Sequence, residues 1–416
     1  MNCRHCQTPL ELVFVDLDES PPSNSYLTDV NQPENSYPLR VMVCEQCWLV
    51  QTMDFAEANE FFASTYAYFS SFSTTWLTHA KTYVDEMAER FGLDESSHVV
   101  EVAANDGYLL QYVAGRGIPC LGVEPTLSTA EAARKKGIEI VNEFFGVTLA
   151  ERLVAADHQA DLTAANNVLA HVPDINDFAA GFATLLKPHG VSTFEFQHLV
   201  PLVDECLFDT IYHEHYSYLS LTAVDRILAA NGLAVFDVAE IPTHGGSLRV
   251  FAQRADTGER DRTPAVDQLL TSEAEAGVTT SGYYRGFQTR VDDIRHGLLD
   301  FLAKAEADDK SVAAYGAAAK GNTLLNYSGV GADQIDFVVD ANPHKQGQFL
   351  PGSHVPIVNE DHLKAAKPDY VLVLPWNLLD EISAQLHYIG QWGGRLLRAV
   401  PAITIIDPPH REPEGS

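Results

Sequence analysis

Residues 99–110 read Val99-Val-Glu-Val-Ala-Ala-Asn-Asp-Gly-Tyr-Leu-Leu110. A buried strand ends in an acid, passes through small residues to Gly107, and opens a helix. Small side chains let the backbone approach a bound ligand closely. About twenty residues further on, Leu121-Gly-Val-Glu-Pro125 sets Glu124 at the end of the next strand, where an acid can accept both hydroxyls of a ribose. The pattern is a strand–loop–helix for a nucleoside-bearing cofactor.

Two cofactor classes use this geometry. Nicotinamide dinucleotides call for Gly-x-Gly-x-x-Gly, and this loop has one glycine. S-adenosylmethionine fits better, although Ala103 and Asn105 stand where methyltransferase loops commonly carry glycines. The cofactor candidates here are Glu101, Ala103, Asn105, Gly107, Tyr108, Leu109, Glu124 and Pro125. Two later strand ends add others. Asn142-Glu-Phe-Phe145 offers Phe144 for stacking on adenine, and Asn166-Asn-Val-Leu169 offers Asn166 or Asn167 for the amino-acid end. Ordinary loop polarity would also explain these residues.

Outward from the loop, strands and helices alternate. Strands are expected at 98–102, 120–123, 138–141, 162–165 and 190–196. Helices are expected from 108, over 128–136 and over 178–186, and an amphipathic helix at 76–91 precedes them all. This rhythm predicts a doubly wound α/β sheet, closed by a hairpin of 233–241 and 248–253. A polar linker, 254–263, leads to a helical region at 264–308. A second α/β series follows, with buried strands expected at 312–315, 335–339, 370–374 and 402–406. The expected organisation is a β-rich head over 1–60, a methyltransferase-type sheet over 61–254, and a Rossmann-like α/β domain over 255–416.

The 416 residues carry 57 acidic against 27 basic side chains, a formal charge of −30. Such a surface repels nucleic acid and anionic membrane. No apolar run approaches the ~20 residues of a membrane span. No apolar signal core follows Met1, so a cytoplasmic protein is expected. A monomer is expected.

The head carries Cys3/Cys6 and Cys44/Cys47, two Cys-x-x-Cys pairs separated by 37 residues. In a cytosolic chain this pairing favours metal over disulfides. Four thiolates suit a tetrahedral structural zinc and leave no open position for catalysis. Redox dithiols are the other reading. So small a head cannot bury much core, and a metal would supply the missing stability.

The densest constellation is Phe208-Asp-Thr-Ile-Tyr-His-Glu-His-Tyr-Ser-Tyr218. An imidazole walled by aromatic rings can act as a base, and Glu214 could orient it. Tyr212 and His215 would share a face on a helix and not on a strand. His171 follows the fourth strand, at the rim where such folds bind ligands. A hydrogen-bonded polar cluster in a core would look similar. Further on, Lys320 and Asn322 lie in Tyr315-Gly-Ala-Ala-Ala-Lys-Gly-Asn322, which resembles a phosphate-cradling loop, and Asp340 and Lys345 lie in a later loop. Contact with a nucleotide or pyrophosphate is one reading; a degenerate Rossmann repeat that only packs is the other. His244 and Arg249, in His244-Gly-Gly-Ser-Leu-Arg249, are candidates for facing the cleft between the domains.

Taken in order, the four-cysteine head, Glu101-x-Ala-x-Asn-Asp-Gly107, Tyr212-His-Glu-His215, His244-Gly-Gly-Ser-Leu-Arg249 and Tyr315-Gly-Ala-x-x-Lys-Gly-Asn322 resemble the sugar C-methyltransferases of antibiotic deoxysugar pathways. The resemblance covers essentially the whole chain. It implies a zinc-binding head, a central S-adenosylmethionine domain and a Rossmann-like C-terminal domain. It implies methylation at C3 of a nucleotide-linked, dTDP-type 4-keto-deoxysugar. His215 then matches the base, and Tyr66, His171, Tyr212 and Glu214 line the sugar site. His171 and Tyr212 are the donors expected to stabilise an enolate. The same chemistry on a GDP-sugar of surface polysaccharide, an NAD(P)-linked oxidoreductase, and a zinc-dependent assembly protein are the alternatives.

Overall fold

The computed structural model describes residues 1–54 and 69–409. Its central sheet holds seven strands in the order β10-β11-β8-β7-β4-β5-β6. These are β4 (Val99–Val102), β5 (Cys120–Val123), β6 (Ile140–Val141), β7 (Ala160–Asn166), β8 (Leu186–Gln197), β10 (Leu233–Ile241) and β11 (Ser247–Arg254). The five strands from β6 to β8 run parallel; β11 is antiparallel to β8, and β10 to β11. Every residue of β4 is buried, as expected of a parallel strand covered on both faces. Chain order reverses around β4, which lies between β5 and β7. Ligands bind at such a switch point, beyond the carboxyl ends of the strands.

The helix expected from Tyr108 starts only at Leu110. Ala103, Asn105 and Gly107 all take positive φ (60°, 48° and 75°), and that winding loop delays the helix by a few residues. The helix Thr74–Phe91 is as expected: Ser73 caps it, Gly92 ends it in a left-handed turn, and Ala80, Tyr83, Val84, Met87 and Ala88 are buried.

The head sheet runs β1-β2-β3-β9. Its strands are β1 (Leu12–Ser20), β2 (Tyr37–Val43), β3 (Val50–Thr52) and β9 (Ser217–Tyr218). The fourth strand therefore comes from the segment just after His215. The head does not close on itself; it is completed by the segment that carries the histidine motif.

The C-terminal sheet runs β14-β13-β12-β15-β16-β17. Its strands are β12 (Val312–Tyr315), β13 (Val338–Val339), β14 (Ile357–Val358), β15 (Tyr370–Val373), β16 (Arg395–Arg398) and β17 (Thr404–Ile406). Two expectations need correction. Of 335–339, only Val338 and Val339 pair; Ile335 is buried in a turn, its amide bonded to Gly331, so the apolar run reports burial rather than pairing. β17 is an antiparallel edge with Ile405 exposed, not a buried strand. The helical region divides into Pro264–Ala276, Ser281–Tyr284 and Phe287–Ala307. Gly277 and Gly286, at φ of 99° and 86°, make the breaks.

Residues 20–27 of the head reach across to the C-terminal sheet. Leu27 and Phe349 exchange backbone hydrogen bonds, Tyr26 Oη donates to the Ala317 carbonyl (2.7 Å), and Asn322 Nδ2 donates to the Ser23 carbonyl. One apolar core joins the head, the histidine segment and the C-terminal helices, with Phe14, Val41, Phe208, Phe287, Leu298 and Leu325 among its members. Among the described residues no helix is long and apolar enough to cross a membrane.

Candidate active site

The histidine motif forms a turn, neither helix nor strand, in which the His215 amide bonds to the Tyr212 carbonyl (2.9 Å). Neighbours on both sides fix it. Thr52 Oγ1 donates to the His215 carbonyl (3.0 Å), and the Tyr216 amide donates to Ala170 (2.8 Å). His215 Nδ1 lies 2.8 Å from the Thr210 carbonyl, which can only accept, so Nδ1 carries the ring proton. Nε2 is then a lone pair, and the Tyr212 hydroxyl donates to it over 2.7 Å. Burial holds the pKa of His215 well below that of free imidazole, and His171 adds to the effect. The ring is therefore neutral at pH 7.

His171 packs edge-on to His215, with centroids 4.6 Å apart. Its Nδ1 donates to the Glu214 carbonyl (2.8 Å), and burial lowers its pKa to about 4. The other ring nitrogen of His171 is then an acceptor. This corrects the expectation that His171 donates to an enolate. Glu214 is buried, and burial raises its pKa. Its Oε1 accepts from Asn24 Nδ2 (3.0 Å), while among the described residues Oε2 meets no hydrogen-bond partner. His213 points the other way, to the Tyr37 carbonyl (3.2 Å). Tyr66 lies outside the described residues.

The cofactor loop lies at the ends of β4 and β5. Glu124 ties it together: Oε2 accepts the Asn105 amide and Oε1 the Thr126 amide, each over 2.9 Å. Asn142 Nδ2 donates to the carbonyls of Glu124 and Pro125. At Gly107 a Cβ would lie 3.2 Å from that of Ala133. Glu101 is fully buried, its carboxylate oxygens meet no hydrogen-bond partner among the described residues, and burial lifts its pKa well above the carboxylate range. Asn166 is also buried, and among the described residues its amide atoms meet no hydrogen-bond partner. Such orphans are costly unless a ligand satisfies them. Buried Tyr108 lies under Trp76 (centroids 5.9 Å), and Leu109 is buried in the core behind it. Phe144 is 55% exposed at the outer rim. A loop with a ribose-side acid, orphaned polar groups at the strand ends and stacked rings fits an S-adenosylmethionine-type ligand.

Asn167, at φ 52°, donates from Nδ2 to His244 Nε2 over 3.3 Å. His244 also lies 5.5 Å from the Trp76 ring, and burial lowers its pKa to about 4. It therefore sits between the cofactor loop and the C-terminal domain. A Cβ at Gly245 would lie only 2.7 Å from Trp376, so this glycine admits the indole. Trp376 Nε1 donates to buried Asp209 (2.7 Å), and Lys320 Nζ stands 4.5 Å over the Trp376 ring, bonded to Asn377 Oδ1 (2.7 Å).

Other candidates are spent internally. Arg249 pairs with Glu195 and Glu86 (3.2 Å each) and covers the Tyr83 ring, and His79 holds the opposite side of Glu195. Arg249 neutralises a buried carboxylate and does not face the cleft, which corrects its expected placement. Asp340 accepts the Ala317 amide (2.9 Å), and Lys345 donates to the Ala317 carbonyl (2.8 Å). These two residues brace the glycine loop. Asn322 is fully buried and anchors Ser23.

The four cysteines converge. Their sulfurs lie within 4.8 Å of one another, with Cys3–Cys47 at 3.5 Å and Cys6–Cys44 at 3.4 Å. Zinc bound tetrahedrally at ~2.3 Å per sulfur needs separations of about 3.7 Å, which small shifts would provide. Gln51 Nε2 donates to Cys3 Sγ (3.3 Å), and its Oε1 accepts the Arg4 amide (2.9 Å). Gln51 pairs in register with Ser217 across β3 and β9, so the metal pocket lies one strand from the histidine turn.

Sequence reading missed Asn24, Thr52 and Trp376. Each reaches the site from a distant part of the chain, and none sits in a motif. For Trp376 a signal existed: it follows a buried strand end in Leu374-Pro-Trp-Asn377, where α/β folds place ligand loops.

Comparison with known families matches residues 3–62 to a "Putative zinc binding domain", 76–238 to a "Methyltransferase domain", and 242–401 to a "C-methyltransferase C-terminal domain". C-methyltransferase NovU of Streptomyces niveus is 34% identical over 406 residues, covering 97% of this chain and 96% of NovU. Two solved structures are also similar over part of the chain. Magnesium protoporphyrin IX methyltransferase of Synechocystis PCC 6803 has 15% identity, covers 43% of this chain and 79% of its own, and gives a TM-score of 0.34. The 1,6-didemethyltoxoflavin-N1-methyltransferase of Burkholderia thailandensis has 17% identity, covers 50% and 96%, and gives 0.36. Sequence similarity across nearly the whole chain, with the four-cysteine head and the cofactor loop in place, shows that this protein belongs to the S-adenosylmethionine-dependent C-methyltransferases.

Proposed function

We propose that the enzyme methylates the carbon beside the 4-keto group of a nucleotide-linked deoxysugar, at C3 of a dTDP-sugar, with His215 as the base. The neutral His215 ring carries this reading: its lone pair is fixed by the Nδ1 bond to Thr210, at the junction of all three parts of the chain. A ketone acidifies the adjacent C–H bond. That bond breaks, its proton goes to His215 Nε2, and its electron pair moves onto the ketone oxygen. Substrate entry must first move the Tyr212 hydroxyl off this lone pair. The electron pair then returns through carbon to form the new C–C bond. S-adenosylmethionine supplies the electrophilic methyl group, and its loss leaves a neutral thioether. Glu101, Asn105, Glu124 and Asn166 would hold that cofactor, and Phe144 would cover its adenine. Glu214 Oε2 is a ready acceptor for a sugar hydroxyl. Holding both reactants in register supplies much of the rate.

A lowered pKa makes His215 a weak base in the free enzyme. The charge of the forming enolate raises its proton affinity in the transition state. The pH dependence follows. His215 stays neutral as pH falls through 6.5, and it protonates only well below that. The acid limb of kcat/KM is therefore expected well below pH 6.5. A limb near 6.5 would show an ordinary, solvated imidazole as the essential base.

The substrate test is incubation with methyl-labelled S-adenosylmethionine and a panel of dTDP- and GDP-linked 4-keto-sugars. Label should enter a C–C bond of a dTDP-sugar. Label transfer only to GDP-sugars would reassign the nucleotide, and no transfer to any sugar would overturn the reading.

A further inference from the structure

The C-terminal domain brings one ammonium group to the reaction site, and the chemistry above has no use for it yet. Lys320 follows the β12 loop and is half-buried. Its Nζ is held from two directions, by Asn377 Oδ1 at 2.7 Å and by the Trp376 ring at 4.5 Å. Trp376 is itself fixed. Its indole N–H bonds to Asp209 in the histidine segment, and its ring fills the space left by Gly245 in the turn after His244. The lysine is thus positioned against the two segments that carry His215 and His244. Its charge reaches both rings: after burial, it is among the causes that depress their proton affinity.

Forming an enolate puts negative charge on the ketone oxygen. That oxygen needs a positive or hydrogen-bond-donating partner, preorganised in a site that excludes water. His171 cannot serve, since its one N–H goes to the Glu214 carbonyl. The Tyr212 hydroxyl, once moved off His215, can offer the oxygen one neutral hydrogen bond but no positive charge. Arg249 is paired with Glu195 and Glu86, and Lys345 with the Ala317 carbonyl and Asp340. Asp209 balances Lys320 only in part: it shares its charge with the Trp376 indole, and among the described residues its Oδ1 meets no hydrogen-bond partner. Burial also raises the pKa of Asp209 to about 6, so it loses its charge only as pH falls below neutrality.

We propose that Lys320 is a catalytic residue, whose ammonium group donates to the enolate oxygen while His215 takes the α-proton. Burial lowers the pKa of Lys320 and the Asp209 carboxylate opposes that shift; in this step the lysine donates as the ammonium form, and no atom is exchanged with it. The assignment rests on the keto-sugar reading and assigns the lysine differently from a pyrophosphate contact. A phosphate contact binds ground state and transition state alike, so it governs KM; an enolate contact acts only as charge develops, so it governs kcat.

The test compares wild type with Lys320→Met, Lys320→Gln and Lys320→Arg on the accepted keto-sugar. Two rates are read: methyl transfer, and deuterium uptake at the α-carbon with S-adenosylhomocysteine in place of the donor. Folding is checked by calorimetric binding of S-adenosylhomocysteine. Lys320→Met and Lys320→Gln are expected to lose roughly 100- to 1,000-fold in both rates, the range for removing one preorganised oxyanion donor. KM for the sugar should change by less than about threefold, since uniform binding is untouched. Lys320→Arg should recover part of the loss. A tenfold or greater rise in KM with kcat retained would make Lys320 a phosphate contact and overturn the assignment, as would undiminished deuterium uptake in a folded variant. Wild-type enzyme that transfers no methyl to any keto-sugar would sink the underlying reading, and this assignment with it.

Discussion

Replacing His215 with alanine is expected to lower kcat by roughly 100- to 10,000-fold, the usual contribution of a positioned general base. Binding of S-adenosylmethionine should be unchanged, because the ring's hydrogen bonds go to Thr210 and Tyr212, outside the cofactor loop. The separation follows from how the turn is held. The His215 carbonyl bonds to Thr52 and its amide to Tyr212, through backbone atoms that alanine keeps. What is lost is the ring: its hydrogen bonds through Nδ1 to Thr210 and Nε2 to Tyr212, and its packing against His171 and Tyr218. His213→Ala serves as the contrast. His213 contacts the Tyr37 carbonyl of the head, so its loss should cost stability rather than chemistry. Calorimetric titration with the cofactor, beside initial rates of methyl transfer, checks both. Retained kcat in a folded His215→Ala enzyme would remove the histidine from the mechanism.

Zinc removal has an expected effect of similar size through a different route. Structural zinc sites contribute about 10–16 kcal/mol in small zinc-binding peptides. Here the metal pocket would hold the ends of β2 and β3 together, and β3 pairs with β9 immediately after His215. Chelation, or Cys44→Ser, should therefore loosen residues 37–52 and 216–218 together, and methyl transfer should fall to background. Hydrogen exchange read by mass spectrometry would follow both segments. Val99 and Val100 of β4 and Leu121 and Val123 of β5 should keep their protection, because they pack in clusters that contain none of the four cysteines. Full activity and full protection in metal-free protein would show the head to be an appendage.

Some of this was legible in the sequence, and the reasons divide cleanly. The parallel strands announce themselves as short apolar runs, since both faces are covered. The cysteine pairs and the histidine motif are visible because their chemistry is local to a few residues. Helix starts were less legible. The positive φ of Ala103 and Asn105 is not written in their side chains, and it moved the helix to Leu110. Long-range partners were not legible at all. Asn24 reaches Glu214 across 190 positions, and Trp376 reaches Asp209 across 167. Arg249 misled because a glycine turn precedes it; β11 instead buries it against Glu195. Charge alone could not tell a ligand contact from an internal counter-ion.

The most direct measurement is deuterium uptake by an accepted nucleotide keto-sugar, in D2O, with wild-type enzyme and S-adenosylhomocysteine. Deuterium should appear at the carbon beside the ketone, the same carbon that receives the methyl group, and His215→Ala should abolish the uptake. Uptake that persists unchanged in His215→Ala, or a methylated product whose new bond lies on any other atom, would contradict proton removal by His215.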